Sequence, residues 1–297
     1  NRLNGTLPSE LGLLTSLKSI NLDDNGLTGT LPTSLGNLPL LETMSLQKGE
    51  LRGRLPTELG MLTMLEELWV DVNLLTGPLP SEIGNCKHLD SVSIEQNQLS
   101  GSLPSEWVNL NQLASLDISE SGIAVGHLPA WIWNLTNLEA MSFDGSSVSG
   151  SLPTEIGLLS KLTRLSVIEN ELTGTLPTEL GRLSKIEDLH FSLNQFSGNI
   201  LPGVVTPLEN LTVLYLDNNM FSGPLPSEIG RLQKLQNLVL ERNNFSGTIP
   251  FEVCRMWSWY SILLLGPVNT GECSGNPFGG LECPSEECCQ SCPGWVL

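Results

Sequence analysis

Positive charge, aromatic residues and long apolar runs are all scarce in this chain. It carries 14 Lys and Arg against 32 Asp and Glu, a formal charge of −18. This acidity argues against nucleic acid and anionic lipid surfaces as partners, because both favour basic proteins. The longest apolar run lies near residues 260–268, far shorter than the ~20 residues that a membrane helix needs. We therefore expect no nucleic-acid partner and no membrane segment within this chain.

Residues that usually carry catalysis are also few. The three histidines are His88, His127 and His190, and none lies in a nucleophile motif. The sequence shows no phosphate-binding loop, kinase signature or zinc-protease helix. His190 and Asp188 could pair along one strand, but no nucleophile accompanies them. We predict that the chain is not an enzyme and uses neither a cofactor nor a metal.

One phrase recurs along most of the sequence. Residues 25–32 read NGLTGTLP, residues 97–104 NQLSGSLP and residues 170–177 NELTGTLP. Its glycine occurs eleven times, and the ten steps are 24 residues eight times and 25 residues twice. A repeat this short cannot cover its own apolar side chains, so successive copies must stack on one another.

Each copy places apolar residues in a fixed frame, L-x-x-L-x-L-x-x-N-x-L. In one copy the frame holds Leu211, Leu214, Leu216, Asn219 and Phe221. The alternation of Leu214 and Leu216 is typical of a strand with one buried face. Because a buried asparagine needs hydrogen bonds, we predict a column of asparagines bonded to the backbone of the neighbouring turn. Where Gly49, Ser121 and Ser146 replace the asparagine, we expect looser turns.

The second half of each copy reads G-x-L-P-[ST]-E-[LI]-G-x-L, as in residues 150–159. Proline forces the preceding residue to be extended, and a short helical turn can start at Ser/Thr-Glu, where the acid favours the positive helix end. Two copies carry an extra residue, at 121–129 and 198–202, and we expect both to interrupt this phrase. Trp131 and Trp133 follow the first insertion and either fill a packing gap or form a lateral patch.

The L-[ST]-G-x-[LI]-P stretch resembles the plant-type leucine-rich repeat of plant receptor ectodomains and polygalacturonase inhibitors. The wording LPTELG and LPSEIG, with the cysteine-rich ending, is similar to secreted or membrane-anchored repeat proteins of diatoms. The resemblance implies an α/β repeat solenoid. It would be a right-handed superhelix with a parallel sheet on its concave side, a second short strand in each turn and a cysteine-rich C-terminal cap.

We predict two parts, a solenoid over residues 1–253 and a disulfide-rich cap over residues 254–297. Six of the seven cysteines lie in the second part: Cys254, Cys273, Cys283, Cys288, Cys289 and Cys292. Disulfides there would close the open end of the solenoid, each contributing ~2–4 kcal/mol. The alternative is zinc on four of these thiolates, although no histidine lies nearby. Cys86 is expected to be a small buried apolar residue.

Both the start of the chain and its sequons bear on location. The chain starts inside a repeat and without a methionine, so we expect upstream residues in which a signal peptide, anchor or cap would lie. Four N-x-[ST] sequons are candidate glycosylation sites: Asn4, Asn134, Asn210 and Asn244. Chance is the alternative, since the repeat is rich in these residues. With the cysteines, the sequons favour an extracellular or cell-surface protein.

Candidate binding residues occupy the outward positions of the predicted main strands. They are Trp69, Asp71, Glu95, Asp117, Asp144, Arg164, His190, Tyr215, Asp217 and Glu241. Exposed Trp and Tyr are frequent anchors in interfaces, and acids would steer a basic peptide. Alternatively, the acids merely solvate the sheet.

These features lead to one preferred function and three alternatives. We expect a recognition module that binds a protein or peptide on the concave face and that forms part of a receptor-like protein with a co-receptor. A structural or wall-associated protein that binds polysaccharide or mineral is the first alternative. An inhibitor of a wall-degrading enzyme, and a hydrolase that uses paired carboxylates, are the others.

Overall fold

A computed structural model describes residues 3–256 and 281–282 of the chain. The chain forms two compact units, residues 1–148 and residues 149–297. Stacked parallel strands and short helices build each unit, so the predicted α/β repeat solenoid is confirmed. The cap cysteines lie outside the residues whose side chains are described, and the division at residues 253/254 stays a prediction.

The first unit contains twelve strands among its described residues. They are β1 (Asn4–Thr6), β2 (Ser19–Asn21), β3 (Gly26–Thr30), β4 (Thr43–Ser45), β5 (Glu50–Gly53), β6 (Glu67–Trp69), β7 (Leu74–Gly77), β8 (Ser91–Ser93), β9 (Gln98–Leu99), β10 (Ser115–Asp117), β11 (Gly126–His127) and β12 (Ala140–Ser142). The even-numbered strands form a parallel main sheet in the order β2-β4-β6-β8-β10-β12. Five odd-numbered strands form the predicted second sheet, β1-β3-β5-β7-β9.

The second unit repeats this arrangement. Its strands are β13 (Val148–Ser151), which begins at the last residue of the first unit, β14 (Arg164–Ser166), β15 (Glu171–Gly174), β16 (Asp188–His190), β17 (Gln195–Gly198), β18 (Val213–Tyr215), β19 (Met220–Gly223), β20 (Asn237–Val239), β21 (Asn244–Phe245), β22 (Gly247–Thr248) and β23 (Leu281–Glu282). Its main sheet has the order β14-β16-β18-β20, and its second sheet β13-β15-β17-β19-β21. Strands β22 and β23 pair separately.

The predicted helical turns are 3₁₀ helices that begin directly after the Leu-Pro step. Their bounds are Ser9–Leu13, Thr33–Asn37, Thr57–Met61, Ser81–Asn85, Ser105–Asn109, Ala130–Asn134, Thr154–Leu158, Thr178–Arg182 and Ser227–Arg231. The described residues also form two α-helices, α1 (Pro202–Val205) and α2 (Phe251–Met256). In most 3₁₀ helices the predicted glutamate lies in the first turn, as Glu58 does. Its position there suits the positive end of the helix.

Close stacking of these helices explains the glycine in the LG or IG pair. A Cβ at Gly60 would collide with the backbone carbonyl oxygen of Glu82 in the next coil. The same conflict holds at Gly36 against Glu58. Glycine therefore sets the distance between successive coils on the helical side, while the main strands set it on the other side.

The asparagine column forms as predicted. Asn73 accepts a hydrogen bond from the backbone N–H of Leu51 in the preceding coil at 3.0 Å. Its amide donates to the carbonyl of Leu46 in that coil at 2.8 Å and to two carbonyls of its own turn. Asn194, Asn219 and Asn243 repeat this arrangement in the second unit. Each buried asparagine thus ties two coils together.

The two insertions differ in their structural effect. At residues 121–125 the chain leaves the second sheet, whose last strand in the first unit is β9, so the expected interruption occurs. The insertion near residue 200 leaves β17 intact, since Gly198 still pairs with Phe221 of β19, and it interrupts only the helical part of the repeated stretch. The extra residue instead replaces a 3₁₀ helix by α1. Trp133 is buried in the core, as the packing alternative predicted, whereas Trp131 is half-exposed.

A row of aromatic rings fills the core of the second unit. Phe196 stacks on Phe221 with ring centroids 6.0 Å apart, and Phe221 stacks on Phe245 at 6.2 Å. All three side chains are fully buried. Stacked rings at this spacing contribute beyond the area that they bury, so the row adds to the cohesion of the coils.

The residue before each asparagine has a left-handed backbone, which is unfavourable when the residue is β-branched. Val72 has φ 54°, and a valine held there costs about 1–2 kcal/mol. We expect Val72→Asn to raise the free energy of unfolding by about 1 kcal/mol, measured by urea unfolding. Val239→Asn, the same exchange in the extended strand β20, is the control and should give no gain. Equal effects of the two substitutions would contradict this account.

Candidate functional site

The open face of the main sheet carries the predicted binding residues. In β6 the side chain of Leu68 is buried, whereas its neighbours Glu67 and Trp69 are half-exposed. Strands β8 and β10 repeat this alternation, with Val92 and Leu116 pointing into the core. The register pairs Trp69 with Ser93, and Ser93 with Asp117. Side chains from three neighbouring strands therefore meet on one face.

Three predicted acids lie close together on this face, and we call Asp71, Glu95 and Asp117 the acid cluster. The backbone ladder continues past the strands, since Val72 N–H donates to the carbonyl of Glu95 at 2.9 Å. Burial together with the neighbouring carboxyl of Asp117, to which Glu95 is hydrogen-bonded, raises the pKa of Glu95 to about 7. Asp71 and Glu120 add to this effect. At neutral pH the cluster therefore holds a proton on a substantial fraction of molecules.

Asp71 is the most enclosed member of the acid cluster. Its residue is 7% exposed, and its Oδ1 is buried with no hydrogen-bond partner. Burial raises the pKa of Asp71, and a hydrogen bond with Ser93 partly offsets this. A buried carboxyl oxygen without a donor is unusual in a folded protein.

Small and aromatic side chains border the acids. The indole N–H of Trp69 donates to the hydroxyl of Ser91 at 2.9 Å, so its ring reaches from β6 across to β8. Both outward positions of β8 are serines, Ser91 and Ser93. Ser93 therefore lies at the centre of a shallow depression, whose border is formed by the larger side chains of Trp69, Asp117 and Glu95. Its importance is not evident from the sequence, where a serine in this column looks like an ordinary spacer.

Asp144 lies one strand beyond the cluster. Its backbone N–H donates to the hydroxyl of Ser119 at 3.1 Å, and Ser119 is in turn bonded to Ser142. Ser119 thus separates Asp144 from Glu95. The predicted acids of this face are therefore not continuous, because a buried serine lies between Glu95 and Asp144.

The second unit places its predicted residues on its own main sheet. His190 and Tyr215 stack with ring centroids 4.8 Å apart. Asp217 accepts hydrogen bonds from the hydroxyl of Ser192 at 2.5 Å and from the amide of Asn218 at 2.7 Å. Arg164, on the exposed side of β14, pairs in register with Asp188, and Glu241 lies beyond Asp217 on the next coil. These contacts join His190 with Tyr215.

Sequence inspection missed one buried polar pair on the main sheet of the first unit. The hydroxyl of Ser45 donates to Asp23 at 2.6 Å, and the backbone N–H of Gln47 donates to the same carboxylate at 2.9 Å. Ser45 is fully buried. The sequence does place an acid and a serine one strand apart, at Asp23 and Ser45. Their hydrogen bond stabilises the sheet and is not part of a binding site.

The structure shows the exposure of the four sequon asparagines and the burial of Cys86. Asn4, Asn134 and Asn244 are exposed, whereas the amide of Asn210 donates to the carbonyl of Ser184 at 2.8 Å and its oxygen accepts from Lys234 at 2.7 Å. Glycosylation at all four stays a prediction. Cys86 is buried as expected, and burial raises the pKa of its thiol to about 11. Disulfides among the six C-terminal cysteines lie outside the described side chains.

Within residues 3–256 and 281–282, no group of three or more His, Cys, Asp or Glu side chains has the geometry to hold a metal ion. Over the same ranges, no helix combines the length and apolar character that crossing a bilayer requires.

The raised pKa of Glu95 predicts a pH-dependent stability. An acid whose pKa is higher in the folded state stabilises the fold below its ordinary pKa near 4.5, and this contribution is lost as pH rises through about 7. We expect Glu95→Gln to stabilise the chain at pH 8 by on the order of 1 kcal/mol and to have no effect at pH 4. Urea unfolding at both values measures this. Glu66→Gln, at an exposed position, is the control and should change the free energy of unfolding by the same amount at pH 4 and pH 8. The same pH dependence in both variants would contradict the raised pKa of Glu95.

Known proteins similar to this chain share its repeat. The family profile described as leucine-rich repeat region matches residues 72–224, and that described as Leucine Rich Repeat matches residues 16–38 and 234–256. No curated protein matches the chain. The match to diatom proteins and to polygalacturonase inhibitors stays a prediction.

Several solved structures resemble the chain. A TDR receptor structure has a TM-score of 0.83 and 30% identity, covering 89% of this chain and 45% of the receptor chain. PEPR1 with AtPEP1 has a TM-score of 0.71 and 28% identity, covering 94% of this chain and 46% of the other. The Arabidopsis receptor kinase HAESA, in complex with the peptide hormone IDA and the co-receptor SERK1, has a TM-score of 0.74 and 27% identity, covering 94% and 52%. The chain thus spans about half the length of these structures.

Proposed function

The chain belongs to the leucine-rich repeat family, and from that premise we propose that it is a non-catalytic recognition module for a protein or peptide ligand. The ligand would lie on the open face of the main sheet in the first unit. The observation that carries this proposal is the juxtaposition of Trp69 with the acid cluster on three neighbouring strands.

The physical basis is a rigid surface that carries one aromatic anchor residue and a local negative charge. Short parallel strands, tied coil to coil by the asparagine column, hold the outward side chains at fixed spacing. Trp69 is fixed by its bond to Ser91 and offers a half-exposed ring, so little side-chain entropy is lost on binding. The acids attract a cationic partner and raise its rate of association.

Similarity to plant receptor ectodomains supports this proposal. Two of the similar structures contain a second component, AtPEP1 in one and the peptide hormone IDA in the other. By analogy we place this chain outside the cell or at its surface, as part of a receptor-like protein that works with a co-receptor.

Selection from a displayed random peptide library tests the proposal. Immobilised chain should enrich peptides, and Trp69→Ala should weaken the binding of the enriched peptides at least about tenfold, as expected for an aromatic anchor. Met61→Ala, an exposed change on a 3₁₀ helix, is the matched control and should leave binding unchanged. No enrichment, or equal binding by the Trp69 variant, would overturn the proposal. A glycan array measured in parallel would reveal a polysaccharide ligand instead.

A further inference from the structure

We propose that the second unit binds an anionic polysaccharide along a row of exposed cations, which we call the basic ridge. The row lies on the segments that join each helix to the following main strand, outside the strand face assigned to the peptide ligand. The surface therefore goes beyond the proposed function and gives the chain a second partner. The members of the basic ridge are Lys161, Arg182, Lys185, Arg231 and Lys234.

The charge of these connecting segments differs between the two units. In the second unit they comprise residues 158–163, 182–187, 205–212 and 231–236, and they hold five Lys and Arg against two acids, a net charge of +3. The corresponding six segments of the first unit hold two Lys against four acids, a net charge of −2. Because both units use the same repeat, the fold does not require cations there. A local excess of positive charge in a chain of charge −18 indicates an anionic partner.

Helix stability does not account for the two arginines. A cation near the C-terminal end of a helix is favourable, and Arg182 and Arg231 occupy such positions. Among the 3₁₀ helices of the described residues, however, only these two carry a basic residue in the last turn. The same position holds Leu13, Met61 or Asn85 in other coils, and those helices form equally well. The arginines therefore serve another purpose.

The reach of two side chains makes the positive charge continuous from coil to coil. Lys234 extends to the preceding coil, where its Nζ donates to Oδ1 of Asn210 at 2.7 Å, and the amide of Asn210 donates to the carbonyl of Ser184 at 2.8 Å. The coil of Asn210 has no Lys or Arg, so Lys234 supplies its positive charge. The stem of Arg182 likewise lies against Gly157 of the preceding coil. The basic ridge thus spans four coils, or about 14 Å, since neighbouring main strands are about 4.8 Å apart.

The protein leaves most of these cations without an acidic partner. Within the described part of the chain, four of the five form no ion pair within 4.0 Å, namely Arg182, Lys185, Arg231 and Lys234. The one short contact of Lys234 is with a neutral amide. Several like charges held side by side repel one another, and an anionic chain that binds along them relieves this repulsion.

The composition of the basic ridge favours a polysaccharide over other anionic partners. Protein interfaces centre on aromatic and apolar anchors, and single-stranded nucleic acids stack their bases on aromatic rings. The four connecting segments contain no aromatic residue, and Leu158 is their only large exposed apolar side chain. A membrane is a plane that would bring the rest of an acidic protein close to anionic lipid. A thin polysaccharide chain can instead follow one line of cations, which bind its sulfate or carboxylate groups by charge-assisted hydrogen bonds.

A titration with dextran sulfate, compared with neutral dextran of the same length, tests the basic ridge. Biolayer interferometry on the full chain should show binding of dextran sulfate and none of neutral dextran. The affinity should fall at least about tenfold from about 50 mM to about 200 mM NaCl, because salt screens ionic contacts and opposes counterion release. A variant that lacks four ridge cations should bind at least about tenfold more weakly. Its substitutions are Arg182→Gln, Lys185→Gln, Arg231→Gln and Lys234→Gln.

The matched control removes the same amount of charge from exposed positions of the first unit. Its substitutions are Lys48→Gln, Arg52→Gln, Arg54→Gln and Lys87→Gln. This control should bind less than about threefold more weakly, because only the overall field of the protein changes. Urea unfolding shows that both variants are folded.

Several results would overturn the basic ridge. They are equal weakening in the two variants, equal binding of neutral dextran, and no binding of dextran sulfate by the unaltered chain. Tighter ridge-dependent binding of polyglutamate, a thymidine oligonucleotide or phosphatidylserine vesicles would overturn the assignment to a polysaccharide. The peptide function is measured separately through Trp69 and does not depend on these results.

Discussion

Replacing Asn73 by alanine is expected to lower the free energy of unfolding by about 3 kcal/mol. The substitution removes the acceptor for the backbone N–H of Leu51 and the donor to the carbonyl of Leu46, both in the preceding coil. A buried backbone group left without its partner costs about 1–3 kcal/mol, and at least two such groups are affected. The loss is large because one side chain satisfies the backbone of two coils.

Urea unfolding of the Asn73→Ala variant measures this loss. Asn37→Ala is the matched control, because Asn37 is an exposed asparagine at the end of a 3₁₀ helix, and its removal should change stability by less than about 0.5 kcal/mol. Hydrogen exchange should also be faster at the amide of Leu51 in the Asn73 variant. If both variants unfolded at the same urea concentration, the asparagine column would not carry the coil-to-coil bonding described here.

Phe221→Ala should lower the free energy of unfolding by about 4 kcal/mol. The side chain is fully buried between Phe196 and Phe245, with stacked rings on both sides. Removal deletes the buried ring and leaves a cavity that rigid neighbouring coils cannot fill. Contacts on both sides of the ring are lost together.

The neighbouring residue provides the control for Phe221. Met220→Ala alters an exposed side chain of the same strand, β19, and should change stability by less than about 1 kcal/mol. Phe221→Leu should recover most of the loss, since it retains much of the buried volume. A Phe221→Ala loss no larger than that of Met220→Ala would contradict the role given to the aromatic row.

Much of the fold could be predicted from the sequence because the repeat applies one physical rule many times. The alternation of Leu214 and Leu216 indicates the strand, and the proline indicates where each helix begins. The recurring asparagine indicates hydrogen bonds to the backbone, because a buried amide needs partners. The second insertion was the exception. Its extra residue near Ile200 was absorbed by α1 rather than by the strand, because a helix start tolerates an added residue more easily than a paired strand does.

The binding face was predicted less completely. Trp69 and the acids follow from their outward positions, but their mutual effects depend on side-chain conformation. The sequence does not indicate that Asp71 is enclosed or that Glu95 and Asp117 share a hydrogen bond. Those features depend on which side chains of adjacent coils lean together, and periodicity does not determine this.

The acidic composition gains a more specific meaning from this face. A charge of −18 favours solubility and gives little information about partners. Three acids concentrated beside one fixed indole, with a proton shared among them near neutral pH, instead describe a place where positive charge is favourable. The distinction between solvating acids and binding acids therefore lies in burial and proximity rather than in number.

The central claim is that the main-sheet face of the first unit is the binding surface, and NMR mapping of a library-selected peptide tests it most directly. We predict that amide shifts caused by the peptide concentrate at Trp69, Ser93, Glu95 and Asp117. Shifts concentrated instead on the 3₁₀ helices around Leu13 and Met61, or on the second sheet, would contradict it.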